Sequence, residues 1–139
     1  MAESGIFSRW RSWSPQFLSV LRMVAAFVFI EYGSAKLFGW PIKMGPPGGV
    51  TLMSQMGAAG VLEFFGGTLI FLGLLTRPIA FLLSGEMAVA YFQGHFPRGF
   101  WPLANQGAPA VLFCFIWLYI SAAGPGPWSL DALRNKSAQ

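Results

Sequence analysis

The sequence predicts an all-α integral membrane protein: one four-helix transmembrane bundle with both termini in the cytoplasm. Three observations lead there. Hydrophobic residues are 55% of the 139, and charged residues only 10%, where a soluble domain carries about a quarter. The apolar residues gather into four runs separated by Gly, Pro and Trp. Six ionisable side chains, Arg22, Glu31, Lys36, Glu63, Arg77 and Glu86, lie inside those runs or at their edges. A charge there is costly unless it faces a partner or a wet cavity, so the bundle is expected to have a polar interior.

The chain reads as a single domain, residues 1–139,. Its first helix is expected at about 16–38, opened by Ser14-Pro15 and closed by Gly39-Trp40-Pro41,. A second is expected at about 52–75, ending before Thr76-Arg77-Pro78,. The third, about 77–94, ends in Gly94-His95-Phe96-Pro97, and the fourth, about 106–123, in Gly124-Pro125-Gly126-Pro127. A span takes about 17–25 helical residues, so the last two need interfacial residues to complete the crossing. No run has the polar face of an amphipathic surface helix. The first segment has no cleavage-site pattern, so the first run is expected to remain as an anchor.

A net charge of +4 would suggest nucleic acid in a soluble chain. Here Lys and Arg flank the apolar runs and form no cluster, which favours lipid headgroups and topology signals, with no nucleic-acid partner. Arg9, Arg11, Arg77, Arg134 and Lys136 fall on one side of a four-span chain, and Lys43 and Arg98 on the other. The positive-inside rule then puts the termini in the cytoplasm. Cys114 is the only cysteine, which excludes an intramolecular disulfide and a CxxC redox mechanism. A lone His95 does not make a metal centre, and none is expected.

Helical geometry sorts the polar residues. Arg22, Ala25, Ala26, Phe29, Gly33 and Lys36 share one face of the first helix, and Glu31 lies opposite. Arg22 is expected to pair with Glu86 or Glu63 at similar depth, and Lys36 to snorkel outward. Glu63 sits among Ala59, Gly60, Gly66 and Gly67, small residues that let a neighbouring helix approach. The fourth helix carries no charge and is expected to face lipid. Arg22 to Glu31 and Arg77 to Glu86 repeat an Arg-x8-Glu spacing, the pattern a duplicated hairpin would leave,. The polar set reads either as an ion-paired core that fixes register or as the lining of a proton-linked or quinone cavity. In the second reading the cavity opens to the outer half between the first three helices. Glu31, Glu63, His95, Arg98 and Trp101 are its candidate lining.

Several motifs resemble one family. Leu21-Arg22 with Gly33-Ser34-Ala35-Lys36-Leu37-Phe38-Gly39 is similar to the first-helix signature of the DoxX family of small bacterial membrane proteins. Glu63-Phe64-Phe65-Gly66-Gly67 and Leu72-Gly73-Leu74-Leu75-Thr76-Arg77 resemble its second. Gly94-His95-Phe96, Gly99-Phe100-Trp101 and the ending from Gly124 to Asp131 also match. The resemblance implies a four-helix protein of the bacterial inner membrane with a redox association. A related branch forms the membrane subunit of a thiosulfate:quinone oxidoreductase, and other members are thought to tether redox enzymes or respond to quinone and oxidative stress. Arg22, Lys36, Glu63, Arg77 and His95 match the family's polar positions. Glu31-Tyr32 departs from the pattern and weakens transfer of a specific substrate. The expectation is a small subunit or scaffold of a redox-associated membrane complex, with membrane lipid and other redox proteins as partners. A quinone-linked oxidoreductase subunit and a proton-linked transporter are the alternatives. No cofactor motif is evident, and quinone is the one possible cofactor.

Overall fold

The computed structural model describes residues 5–137; the ends of the expected 1–139 domain lie outside the described residues. The described residues are helical and contain no strand. A short α1 (Gly5–Ser12) leads into α2 (Ser14–Leu37), which has Pro15 in its first turn, where the missing N–H costs nothing,. After a Gly- and Pro-rich loop come α3 (Gln55–Val61), a π-helical turn (Leu62–Gly66) and α4 (Gly67–Leu72), which run on as one rod. The Ser54 hydroxyl starts that rod by accepting from the Gly57 amide at 3.0 Å,. Next are α5 (Thr76–Ala90), a second π-helical turn (Tyr91–His95) and a 3₁₀ turn (Phe96–Arg98). The chain ends with α6 (Ala108–Ala123) and α7 (Leu130–Ser137).

Two of these stretches, Ser14–Leu37 and Gln55–Leu72, are long and apolar enough to cross a membrane. At 1.5 Å per residue α2 is about 36 Å long, more than the roughly 30 Å of a hydrocarbon core. The outer surface is apolar: Val24, Phe27, Phe65, Phe81, Phe92, Leu112 and Phe115 are all exposed. Such a surface is a liability in water and ordinary against lipid. The core is made where α2, α4, α5 and α6 meet. Phe29 packs edge-on against Trp117, with ring centroids 5.3 Å apart, and Ile70, Leu83 and Ile120 fill in around them.

The fourth apolar run therefore does more than face lipid. α6 packs closely along α5, with Trp117 and Ile120 fully buried. Ala80 and Ser84 leave room for this approach, and the Ser84 hydroxyl donates to the Cys114 carbonyl at 2.8 Å. A helix without charge suits a core as well as lipid, so the absence of charge did not identify its exposed side.

Arg22 corrects a second expectation. It is fully buried and pairs with neither Glu63 nor Glu86. Its guanidinium donates to four carbonyls: Ile70 at 2.6 Å, Phe71 at 2.5 Å, Pro125 at 2.7 Å and Trp128 at 2.5 Å. Two of these are last-turn carbonyls of α4, at the negative end of its dipole; that of Ile70 also accepts from the Gly73 amide at 3.0 Å,. Arg77 does the same for α6, donating to Ser121 at 3.2 Å and to Ala122. In each Arg-x8-Glu helix, the arginine caps the helix that follows.

The junction between α4 and α5 is held from the C-terminal segment. Gly73 (φ 69°) and Leu75 (φ 51°) both take left-handed backbone conformations, cheap for glycine and costly for leucine. The Asp131 carboxylate accepts from the Leu75 amide at 3.0 Å and the Thr76 amide at 2.9 Å, acting as a cap for α5. Partial burial would raise its pKa, but the amides of Thr76 and Leu75, with Arg134 nearby, hold it below the ordinary aspartate value.

Replacing Arg22 with Leu removes the guanidinium donor from four carbonyls, of which Ile70 O keeps the Gly73 amide, and is expected to cost on the order of 3 kcal/mol, read as a lower unfolding midpoint in mild detergent; Arg22→Lys, which keeps the charge without the fork, should recover only part. Asp131→Ala removes a cap and should cost about 1 kcal/mol at pH 7. Because the folded-state pKa is depressed, the Asp131 contribution is complete above the ordinary aspartate pKa. It is lost as pH falls through the folded value, so melts of wild type and Asp131→Ala should converge in acid.

Candidate functional site

Close helix packing builds the site. A Cβ on Gly33 would collide with the backbone of Phe64 and Gly60, so only glycine lets α2 lie this near the second rod. Gly60 in turn faces Lys36, and a Cβ there would sit 3.1 Å from the lysine Cβ. This approach brings Lys36 to Glu63. Its Nζ is 2.5 Å from both carboxylate oxygens, with the two side chains 13% and 3% exposed. Lys36 does not snorkel outward, because a carboxylate lies closer than the surface. The π-helical turn that carries Glu63 interrupts the regular i→i−4 ladder, a local device frequent at functional sites,.

The pair borders a cavity of about 1110 Å³ between α2, the α3–α4 rod, α5 and α6. Its walls are apolar and aromatic, with Phe29, Tyr32, Phe81 and Phe113 among them. Glu86 enters from α5. Both of its carboxylate oxygens are buried, and neither has a hydrogen-bond partner among the described residues. Leu82 precedes it and Val89 follows it on the same stripe of α5, which continues to Gln93 in the second π-helical turn,. Gln55, Gln93, His95 and Gln106 are polar residues of the lining, and the Gln55 amide donates to Gln93 across the gap between the α3–α4 rod and a second rod formed by α5 and the π-helical turn that extends it.

His95 belongs to both the cavity and the loop beyond it. Its Nδ1 is 3.0 Å from the Asn105 carbonyl and 3.1 Å from Arg98 Nη2. The ring lies nearly parallel to that of Tyr91. Asn105 is buried and organises the loop: its side chain donates to Gly99 O at 2.7 Å and accepts from Gly107 N at 2.8 Å.

The sequence candidates thus separate into three groups. Lys36, Glu63, Glu86 and His95 meet at the cavity. Arg98 fastens the loop, donating to Asn105 O at 3.1 Å, and Trp101 is exposed against Phe100; neither lines the cavity. Glu31 is half-buried on α2 and also lies off the lining, while Arg22 and Arg77 secure the opposite end. Sequence reasoning missed Tyr32, Gln55 and Phe113 as lining residues, and Asn105 as a loop organiser. The Asn105-Gln106-Gly107 turn chemistry was the available signal for Asn105. Nothing in the first or fourth helix taken alone marks Tyr32 or Phe113.

Chemically, the site offers an apolar compartment with one polar patch. That patch can hydrogen-bond a polar end, exchange a proton or balance a charge. Lys36→Met should strand the buried Glu63 carboxylate and cost roughly 3–5 kcal/mol in stability. Adding Glu63→Leu should restore most of the loss in detergent melts, since an apolar replacement for a whole buried pair is often neutral. No recovery in the double variant would argue against the pair.

The profile of the DoxX family matches residues 17–96, from the start of α2 through the second π-helical turn. An uncharacterized protein of Haemophilus influenzae is 43% identical over 120 residues, covering 84% of this chain and 90% of its own length. The inner membrane protein YqjF of Escherichia coli is 32% identical over 126 residues, 84% of this chain and 91% of that one. An uncharacterized membrane protein of Mycobacterium tuberculosis is 28% identical over 141 residues, 89% of this chain and 85% of that one. No solved structure is significantly similar. Arg22, Lys36, Glu63, Glu86 and His95 all fall within the matched stretch, and relatives covering most of their own length are named as membrane proteins. The chain is therefore a membrane protein that belongs to the DoxX family.

Proposed function

We propose that this is a multi-pass inner-membrane protein whose four main helical segments cross the bilayer with both termini in the cytoplasm, and that it holds a small amphipathic molecule between them. The observation that carries this reading is the unpartnered Glu86 carboxyl, set beside the Lys36–Glu63 pair in a large apolar cavity. Buried polar groups are expensive to leave unmatched, and a ligand with a polar end would match this one. The cytoplasmic orientation is supported by Arg9, Arg11, Arg77, Arg134 and Lys136 at the Arg22 end, against Lys43 and Arg98 at the other,.

In a redox-associated complex, this chain would serve as the ligand-holding subunit, with membrane lipid around it and a redox protein at its surface. A quinone headgroup is one ligand that meets the terms of the cavity: a flat ring for the aromatic walls, and oxygens for Lys36 and the carboxyls. Proton-linked passage of a small molecule is a second reading, favoured by Glu86, whose carboxyl has no fixed counter-charge.

Two measurements test the proposal. Gly85 faces the cavity, and a Cβ there would meet nothing within 4 Å, so Gly85→Phe should fill the space without disturbing the helix. A short-chain quinone analogue is expected to raise the melting temperature of wild type in detergent and not that of Gly85→Phe; equal shifts would place binding elsewhere. For topology, with Cys114 replaced by Ala, a cysteine at Leu103 should react with an impermeant thiol reagent in intact cells, and one at Ser8 only after lysis. The reverse pattern would invert the orientation.

A further inference from the structure

The charges around the cavity do not balance. Three of its lining residues are charged: Lys36, Glu63 and Glu86. Lys36 is committed to Glu63 through both carboxylate oxygens. The Glu86 carboxyl is left over, with both oxygens buried and no donor within reach among the described residues. In an apolar compartment such a group must carry a proton or face a cation. The walls suit a cation of a particular kind. Phe81, Tyr32 and Phe113 present rings, and ring faces attract organic cations,. The sparse polar lining suits a weakly hydrated ion better than a metal ion, which needs several oxygen ligands.

We propose that the cavity is an exchange site in which a lipophilic organic cation, such as a quaternary phosphonium or a protonated aromatic amine, displaces one proton from Glu86. This rests on the cavity being a ligand site, and it names the class of ligand. The exchange balances: one proton leaves the carboxyl as one positive charge arrives. Other titratable groups facing the site are accounted for by element. α2 supplies Lys36, held by Glu63, and Tyr32; the first π-helical turn supplies Glu63; the second supplies His95, with Nδ1 engaged by the loop; α6 adds no charge to the lining. Glu86 is thus the group free to alternate between proton and ligand.

The test is calorimetric binding of tetraphenylphosphonium to the purified full-length protein in detergent, with the neutral quinone analogue run in parallel. At pH values where Glu86 is protonated before binding, wild type is expected to bind the cation and release close to one proton per cation bound, and it is in this range that proton release is read. Affinity should rise about tenfold per pH unit while Glu86 is largely protonated, and level off above that range. Glu86→Gln, of the same shape but uncharged, should lose at least tenfold in cation affinity and all pH dependence. Gly85→Phe should bind neither probe. Cation binding that is independent of pH, releases no proton or survives unchanged in Glu86→Gln would overturn the inference. Binding of the quinone analogue alone would overturn it while leaving the cavity as a ligand site. Binding of neither probe would remove both readings. If Glu86→Gln does not fold, the wild-type pH dependence and proton release decide the matter.

Discussion

Within an apolar solvent every buried charge must be answered by the protein itself, and most of this structure follows from how that is done. Arg22 is the strongest case. Its planar fork meets carbonyls from the end of α4 and from the segment before α7, joining pieces 48 to 106 residues away in sequence. The same contacts satisfy helix-end carbonyls that hydrocarbon could not. Arg77 repeats the solution on α6. One end of the molecule is therefore closed with cations and backbone oxygens, and among the described residues neither arginine makes a salt bridge to a carboxylate. The acidic residues of the interior are left for the other end.

There the answer is different. Gly33 and Gly60 let α2 and the α3–α4 rod approach until Lys36 and Glu63 touch. The two π-helical turns, Leu62–Gly66 and Tyr91–His95, stand on facing rods and carry Glu63 and His95 to the same compartment. The rods touch here through Gln55 and Gln93 and enclose the cavity between them. A tightly joined end and a hollow end thus coexist in one small protein. The difference traces to where glycine, arginine and the irregular turns fall along the helices.

Much of this was legible from residue order. Apolar runs and their punctuation gave the all-helical class, and the DoxX-like motifs gave the family. The scarcity of charge singled out the residues that later met at the cavity or closed the far end. Partner choice was not legible. Depth estimates put Arg22 level with the carboxylates, but they took no account of helix-end carbonyls, which leave no trace in side-chain chemistry. One helix alone leaves Lys36 as a snorkelling residue, since it does not show that Gly60 opens a path to Glu63. Phe113 and Trp117 lie four residues apart in an uncharged run, and only the neighbouring helices distinguish the cavity wall from the core. Arg98 and Trp101 neighbour His95 in sequence, yet Arg98 is engaged by the Asn105 carbonyl, Trp101 is exposed, and neither lines the cavity.

The Arg22 contacts also bear on how the chain is made. Arg22 and the Pro125 carbonyl are 103 residues apart. At roughly 5–20 residues per second, synthesis needs on the order of 5–20 s to supply that carbonyl after the arginine has emerged. Throughout that interval α2 carries a cation short of one of its acceptors, and a charge so placed is costly to enclose in hydrocarbon,. Completion of the last loop is what allows it to be enclosed. A chain ending before Pro125 would lack two of the four carbonyls that answer Arg22, so the last loop is part of the first charge's solvation.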